Sequence, residues 1–308
     1  MSRPADKPPI PAMATLVLGA VMISFAPIFV KLVGQEALGP TAIAFWRNLF
    51  GGITLMLLTL VSGRSLILPK TLWRFALLAG FVFFLDLFVW HKSIIYTGAG
   101  MATILGNTQV FATSVLGVVL FREKLTLRFI IAAFSAMGGV VLLVGVGGEV
   151  EFSTTYLKGV GFGLLTGVAY ASYLITLKTA SRQPDRLDPV VFMTWTSFFS
   201  AFFLGITGLL EPDPFIPPTL GDFGIVLALG VTVQALAWIV IMRSLALLEA
   251  SRTGLVLLLQ PTLATVWGML FFAEEMGPTQ LVGAAITLAA IYVGSLRAAK
   301  FGAAAPVD

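Results

Sequence analysis

Ten long apolar segments, separated by short polar breaks, constrain the fold of this 308-residue chain more than any other feature. A helix needs roughly 20 apolar residues to cross the hydrocarbon core of a bilayer. Turn-forming pairs such as Gly39-Pro40, Asp188-Pro189 and Gly277-Pro278 separate the segments. The sequence therefore predicts an all-α integral membrane protein with ten transmembrane helices. They are expected near residues 12–33, 40–61, 73–94, 98–121, 127–146, 158–178, 189–209, 221–242, 251–272 and 278–296.

The composition indicates that the solvent of this protein is lipid. Only 11% of its residues are charged, whereas a soluble protein carries about 25%. The chain has no cysteine, and the common nucleotide-binding and hydrolase motifs do not occur, so no enzyme, cofactor or metal site is expected. We interpret the pI near 9.5 as a sign of membrane topology rather than of nucleic-acid binding.

The basic residues predict how the chain sits in the membrane. If the N-terminus is cytoplasmic, fifteen Lys and Arg residues lie on the cytoplasmic side and three on the other, while Arg47 lies within a span. The positive-inside rule therefore places both termini in the cytoplasm. Arg3 and Lys7 precede the first apolar run as in a signal peptide, but the run is too long for one, and we expect it to remain as the first span.

Two sets of residues recur about half a chain apart. The pairs at an offset of 151 are Gln109/Gln260, Gly117/Gly268 and Glu123/Glu274, and those at an offset of 149 are Pro40/Pro189, Trp46/Trp195 and Phe50/Phe199. Each half, residues 1–147 and 148–308, contains five predicted spans. Because five is odd, the two repeats are expected to be inverted in the membrane, as in many secondary transporters that work by alternating access.

The same residues resemble a known family. The motifs are Pro40…Trp46-Arg47, Gln109…Gly117…Phe121-Arg122-Glu123 and Gln260-Pro261…Gly268…Phe272-Ala273-Glu274-Glu275. Over nearly its whole length the chain resembles the drug/metabolite transporter superfamily, in particular its EamA family, and is similar to YddG-type exporters of amino acids, notably aromatic ones. The first half departs from the second by having Val110 where the second has Pro261, which argues against a symmetric helix kink.

This resemblance implies a secondary transporter, acting as a monomer in the bacterial inner membrane. Its expected substrates are aromatic or other neutral amino acids and similar small metabolites or drugs. Two alternatives remain. Transport of phosphorylated metabolites or nucleotide sugars would need several cationic side chains in the cavity, and Arg47 is the clear one. A membrane enzyme or scaffold without transport is the other alternative.

Ionisable side chains inside the spans are candidates for binding substrate or protons, because charge in a bilayer is costly. Asp86 shares a helical face with Phe83 and Trp90, and could hold an ammonium group or a proton, or be satisfied by a neighbouring helix. His91 could exchange protons or anchor the span at the interface. Arg47 could bind a carboxylate, snorkel outward, or pair with Asp86.

Uncharged polar side chains in the spans form a second group of candidates. Asn107, Gln109 and Gln260 could bind a zwitterion or bridge helices. Because Asn107 and Gln109 are two positions apart, at most one of them should line the cavity.

Aromatic residues complete the candidate site. Tyr170, Gln234 and Trp238 lie too far from their span ends to act easily as interface anchors. We expect them to join Phe83 and Trp90 in an aromatic-walled cavity. By contrast, the glutamates at helix ends are expected to pair with loop cations or backbone amides; they are Glu123, Glu274 and Glu275.

Overall fold

The computed structural model describes residues 10–34, 37–144, 153–185, 187–273 and 275–295, which form helices and no strands. The helices are α1 Ile10–Ile23, α2 Ala26–Val33, α3 Pro40–Val61, α4 Lys70–Asn107, α5 Gln109–Phe121, α6 Leu127–Val144, α7 Thr154–Ser181, α8 Pro189–Leu210, α9 Leu220–Leu229, a π-helical segment Gly230–Ala237, α10 Trp238–Leu245, α11 Ala250–Val256, α12 Leu259–Phe272 and α13 Pro278–Ser295. The repeat residue Glu274 and the boundary between residues 147 and 148 lie outside the described residues.

Within the described part of the chain, nine continuous helical stretches are long and apolar enough to cross a membrane. One of them, Lys70–Phe121, has 52 residues and contains two predicted spans, because Gly98 breaks the helical path with a φ of 81°. The left-handed region is open to glycine without steric cost, so the chain turns there without a loop. The prediction of an all-α protein with ten spans is therefore confirmed.

Several spans are interrupted at points that the apolar pattern did not indicate. The first span breaks at Ser24-Phe25, where the backbone N–H of Phe25 donates to the carbonyl of Met22, one residue closer than in an α-helix. The fourth and ninth spans both break near their middle, at Thr108 and at Leu257-Leu258. The difference between Val110 and Pro261 therefore does not keep the two halves from breaking at similar places, since the interruption occurs with or without a proline.

Contacts between loops and helix ends define the two ends of the helical bundle. At one end, here called the Arg64 end, Arg64 pairs with Asp188 at 3.0 Å. At the opposite end, here called the Lys92 end, Lys92 pairs with Glu211 at 2.6 Å.

Each end contains one of a matching pair of tryptophan hydrogen bonds. The indole N–H of Trp46 donates to the carbonyl of Phe215 at the Lys92 end, at 2.8 Å. The indole N–H of Trp195 donates to the carbonyl of Leu66 at the Arg64 end, also at 2.8 Å. Both the donors and the acceptors are separated by the repeat offset of 149.

Close backbone contact between helices depends on a few glycines. A Cβ atom on Gly139 of α6 would lie 2.7 Å from the carbonyl oxygen of Gly283 of α13, so the two helices touch backbone to backbone. The adjacent Gly138 faces open space, with no atom within 4 Å of such a Cβ. Large apolar side chains such as Val119, Phe134 and Leu270 are exposed on the outside of the bundle, where the acyl chains of lipid would cover them.

Candidate functional site

A cavity of about 1070 Å³ extends into the bundle from the Lys92 end. Its mouth is lined by helix ends, with Lys31 and Gly34 at the end of α2 and Val144 at the end of α6. Its deepest lining residues lie in the middle of spans, among them Asp86 and Tyr170. None of the described lining residues belongs to the loops of the Arg64 end, so the cavity opens at the Lys92 end.

Aromatic rings form one wall of this cavity. The rings of Phe83 and Tyr173 stack at 4.6 Å between centroids, and Trp238 meets them edge-on at 5.6 Å and 4.8 Å. Tyr170 contacts Trp238 at 6.2 Å. Phe83, Tyr170 and Trp238 belong to the lining, with Phe83 and Trp238 almost fully buried, and the fully buried Tyr173 lies behind them. A wall of this kind can bind a flat ring or a cation.

Arg47 enters the cavity from α3 and is held in a fixed orientation. Its Nε donates to the Oε1 of Gln234 at 3.1 Å, and the Nε2 of Gln234 in turn donates to the Oγ of Ser197 at 3.2 Å. The guanidinium carbon lies 5.6 Å from the centroid of the Phe83 ring. These contacts use Nε and one guanidinium face, so the two terminal nitrogens have no hydrogen-bond partner among the described residues and can bind an anion.

Asp86 enters the same cavity from α4 and has no protein partner. Its side chain is only 8% exposed, yet the carboxylate makes no hydrogen bond or ion pair with any described residue. The pairing of Arg47 with Asp86 that the sequence suggested is therefore not formed, because no nitrogen–oxygen distance between them is within 4.0 Å. An acidic and a basic side chain thus line one cavity without forming an ion pair.

The other predicted polar residues of the lining are partly satisfied. The side-chain amide of Gln260 donates to the hydroxyl of Tyr170 at 3.1 Å. The amide nitrogen of Asn107 donates to the carbonyl of Thr103 at 2.7 Å, which leaves its oxygen to accept a further bond. His91 lies closer to the mouth, beside Trp90 at 5.4 Å between rings, and its buried Nδ1 has no partner among the described residues.

Eight of the ten predicted site residues line this cavity; they are Phe83, Asp86, Trp90, His91, Asn107, Tyr170, Trp238 and Gln260. The placement of the other two in the lining needs correction. Gln109 faces away, donating to the carbonyl of Gly254 at 2.9 Å and accepting from Thr113 at 3.0 Å, so it bridges helices. Gln234 lies behind Arg47 and orients it.

Sequence reasoning also missed several hydroxyl groups of the lining. Thr103, Thr166 and Thr265 line the cavity, and each hydroxyl donates to a carbonyl four residues earlier in its own helix. Such residues occur on every face of a membrane helix, so their presence in the sequence carried no signal. In the described part of the chain, no group of three or more acidic or histidine side chains could hold a metal ion.

The Arg64 end is closed by contacts of two charged side chains. Glu123 accepts hydrogen bonds from the backbone N–H of Ala250 at 2.6 Å, the backbone N–H of Ser251 at 3.0 Å and the Ser251 hydroxyl at 2.7 Å. The fully buried Lys178 donates to the carbonyls of Leu245, at 3.2 Å, and Leu248. The expectation that Glu123 pairs with backbone amides is confirmed.

A third charged contact joins Lys92 of α4 to Glu211, which follows the end of α8, at the Lys92 end. Burial would raise the pKa of the Glu211 carboxyl, but hydrogen bonds from Lys92 and Thr41 and the Lys92 charge lower that pKa from its ordinary value. The carboxylate and the ammonium group therefore remain paired beside the cavity mouth at neutral pH.

Comparisons with known proteins identify the class of this molecule. The sequence profile of the EamA-like transporter family matches residues 10–145 and again residues 157–296. An uncharacterized transporter of Archaeoglobus fulgidus is 25% identical over 284 residues, which cover 91% of this chain and 94% of that protein. The uncharacterized transporter YwfM of Bacillus subtilis is 24% identical over 277 residues, covering 88% of this chain and 89% of YwfM. A protein known from a crystal structure shares the fold, with a TM-score of 0.80 at 17% identity over 92% of this chain and 98% of that one.

Proposed function

The chain belongs to the EamA-like transporter family, and we propose that it exports neutral amino acids, aromatic ones above all, by alternating access. It is a multi-pass membrane protein of a family with ten spans, and relatives from bacteria and archaea are named transporters. We place it in the plasma membrane of a bacterium, acting as a monomer on a small-molecule substrate without a cofactor.

The observation that carries this proposal is the unpaired state of Arg47 and Asp86 in one aromatic-walled cavity. A charged side chain near the centre of a bilayer costs about 2.5–3.5 kcal/mol on the insertion scale, and such charges usually pair with each other. A zwitterion satisfies both at once, its carboxylate on the guanidinium fork and its ammonium group on the Asp86 carboxylate. The aromatic wall then accommodates a ring-bearing side chain.

The separation of the basic side chains in the cavity favours a neutral substrate over the phosphorylated alternatives. Lys31 and Arg47 are the basic residues of its lining, and Asp86 is the acidic one. Lys31 is exposed at the mouth and Arg47 is deep, so they do not form the cluster of cations that a phosphate ester needs. Phosphate esters and nucleotide sugars are therefore expected to fail as substrates.

We further propose that residues 1–147 and 148–308 are inverted repeats, with both termini in the cytoplasm. The reciprocal bonds of Trp46 and Trp195 support this arrangement, as does the family profile that matches each half separately. In this orientation the cavity opens to the outside, and the contacts of Glu123 and Lys178 close the cytoplasmic end. Export requires a second conformation in which those contacts separate.

The test is tryptophan counterflow in liposomes that contain the purified full-length protein. Labelled tryptophan should accumulate in vesicles preloaded with unlabelled tryptophan, and phenylalanine should compete. Tryptamine lacks the carboxylate and indole-3-propionate lacks the ammonium group, so each loses one charge-assisted contact worth about 1.5–3 kcal/mol. Each should compete at least about tenfold more weakly than tryptophan.

Two variants assign the two contacts. Arg47→Gln should weaken the binding of tryptophan far more than that of tryptamine. Asp86→Asn should weaken the binding of tryptophan far more than that of indole-3-propionate. Arg74→Gln makes the same chemical change at an exposed position outside the cavity and should transport normally. The proposal fails if no amino acid shows counterflow, or if tryptamine competes as well as tryptophan in the unmodified protein.

A further inference from the structure

A second cavity, of about 390 Å³, lies on the outside of the bundle at the Arg64 end. It is a groove between the spans that contain α1, α3 and α10, and it shares no lining residue with the transport cavity. We call it the arginine groove, and its principal residues are Leu58, Ser62, Arg64, Leu236, Val240 and Arg243.

The arginine groove is divided into an apolar part and a polar part. Leu58 and Leu236 form apolar walls, and both are exposed on the bundle surface at membrane depth. Ser62 and Arg64 follow the end of α3, and Arg243 lies in the last turn of α10. The polar part therefore lies at the level where a span leaves the hydrocarbon core, with the apolar part next to it inside the membrane.

The charges of the groove leave one positive charge unbalanced. Arg64 pairs with Asp188 at 3.0 Å, and the same carboxylate caps α8 by accepting from the backbone N–H of Val190 at 2.9 Å. Arg243 is exposed and makes no hydrogen bond or ion pair with any described residue. Two guanidinium groups and one carboxylate sum to a single positive charge, which matches one phosphodiester group.

We propose that the arginine groove binds one anionic phospholipid of the phosphatidylglycerol type. Arg243 and the free nitrogens of Arg64 hold the phosphate, and an acyl chain lies along Leu58 and Leu236. Basic pockets between spans at the membrane surface bind anionic lipid headgroups in this way. The apolar walls distinguish this ligand from a free phosphate, which would leave them uncovered.

This lipid would contact two of the interrupted spans. The groove also includes Met22, two residues before the break at Ser24-Phe25, and Leu236 belongs to the π-helical segment. A π-helical turn and a broken helix are points where a span can change its path. Bound lipid therefore stabilises the conformation with a closed Arg64 end, and the lipid composition of the membrane becomes a control on transport.

The test is thermal unfolding of the purified full-length protein in detergent with added phosphatidylglycerol. Phosphatidylcholine with the same acyl chains and soluble glycerol 3-phosphate are the comparison ligands. Phosphatidylglycerol should raise the Tm in a saturable way, and the other two should not. In Arg243→Gln the half-saturating concentration should rise about tenfold or more, the loss expected for one charge-assisted bond.

Two further variants make the result specific. Arg243→Lys keeps the positive charge and should retain most of the effect. Arg74→Gln removes an exposed arginine outside the groove and should respond like the unmodified protein. The proposal is overturned if Arg243→Gln responds to phosphatidylglycerol as Arg74→Gln does, if phosphatidylcholine stabilises equally, or if glycerol 3-phosphate reproduces the shift. None of these outcomes depends on which substrate the protein carries.

Discussion

The contacts of Glu123 provide the sharpest test of how the Arg64 end opens. This carboxylate accepts three hydrogen bonds from the start of α11, at 2.6, 2.7 and 3.0 Å. Glu123→Gln keeps the shape of the side chain but removes its charge and replaces one acceptor oxygen by an amide nitrogen, which can accept nothing. If these bonds exist only in the conformation closed at this end, the substitution should destabilise that conformation relative to the open one.

The size of the effect follows from the bonds that are lost. A hydrogen bond to a charged group contributes about 1.5–3 kcal/mol, and Glu123→Gln loses at least one and weakens the others. A shift of about 2–3 kcal/mol changes the ratio of the two conformations by a factor of roughly 30 to 150. This change is large enough to move the protein from mostly closed to substantially open at the Arg64 end.

Cysteine labelling can measure this ratio, because the natural chain contains no cysteine. A Thr253→Cys reporter lies just beyond the Glu123 contacts and is fully buried, so a maleimide should react with it slowly. Adding Glu123→Gln should accelerate its labelling by up to the same factor. An Ile95→Cys reporter at the exposed cavity mouth should become less reactive in parallel.

The control for this experiment is Glu275→Gln, which removes an exposed glutamate at the opposite end and should leave both reporters unchanged. If Glu123→Gln leaves Thr253→Cys as protected as before, the Glu123 contacts do not hold this end closed. If both reporters accelerate together, the substitution loosens the whole fold rather than exchanging two conformations. Either result would refute the reasoning.

Three other predictions follow from the charges and the close packing. Asp86→Asn should leave folding intact and abolish the pH dependence of export. Uptake measured with and without a pH gradient shows that dependence, and an unchanged one would exclude proton binding by this carboxylate. Gly139→Ala should destabilise the protein by about 1–3 kcal/mol in thermal unfolding, because its Cβ would meet the backbone of α13. Gly138→Ala, whose Cβ would face open space, should leave the stability unchanged. The pKa of Glu211 is lowered in the folded protein, so its ion pair stabilises the fold fully above the ordinary pKa of a glutamate. This stabilisation is lost as the pH falls through the lowered pKa. Glu211→Gln should therefore reduce the loss of stability at acid pH, and an unchanged loss would assign that loss to other carboxyl groups.

Span positions could be predicted from the sequence because the bilayer fixes their length and proline fixes their start. The spans expected at 40–61 and 189–209 are observed as Pro40–Val61 and Pro189–Leu210. In both, proline at the first helical position has no N–H group to leave unsatisfied. The breaks inside spans escaped prediction because they depend on contacts between helices. A Cβ on Gly230, at the start of the π-helical segment, would lie 3.0 Å from the carbonyl oxygen of Arg47, and no local pattern encodes that approach.

The candidate site was predictable at the level of residue types and less so at the level of partners. Burial inside a span marked Asp86 and Tyr170 as unusual, and both line the cavity. The separation of Asn107 from Gln109 by two positions correctly limited the lining to one of them. Which of them faces inward depends on the rotation of the fourth span against α7 and α11, which periodicity alone does not determine.

Two segments separated by the repeat offset of 151 show what the proposed inverted repeat implies for the transport cycle. In the second half, Ala250 and Ser251 are buried where Glu123 closes the Arg64 end. Their counterparts in the first half, Ala99 and Gly100, line the open cavity mouth.

Equivalent parts of the chain are therefore found in two different environments within one structure. A pair of inverted repeats can exchange these environments without any new type of contact, because each half already contains the arrangement that the other must adopt. The carbonyl of Leu245 that Lys178 binds corresponds, at the offset of 151, to that of Ile94 in the lining of the open mouth. Closing the Lys92 end would bury Ile94 as opening of the Arg64 end exposes Leu245. The free energies of the two conformations then stay close, as a carrier that must visit both requires.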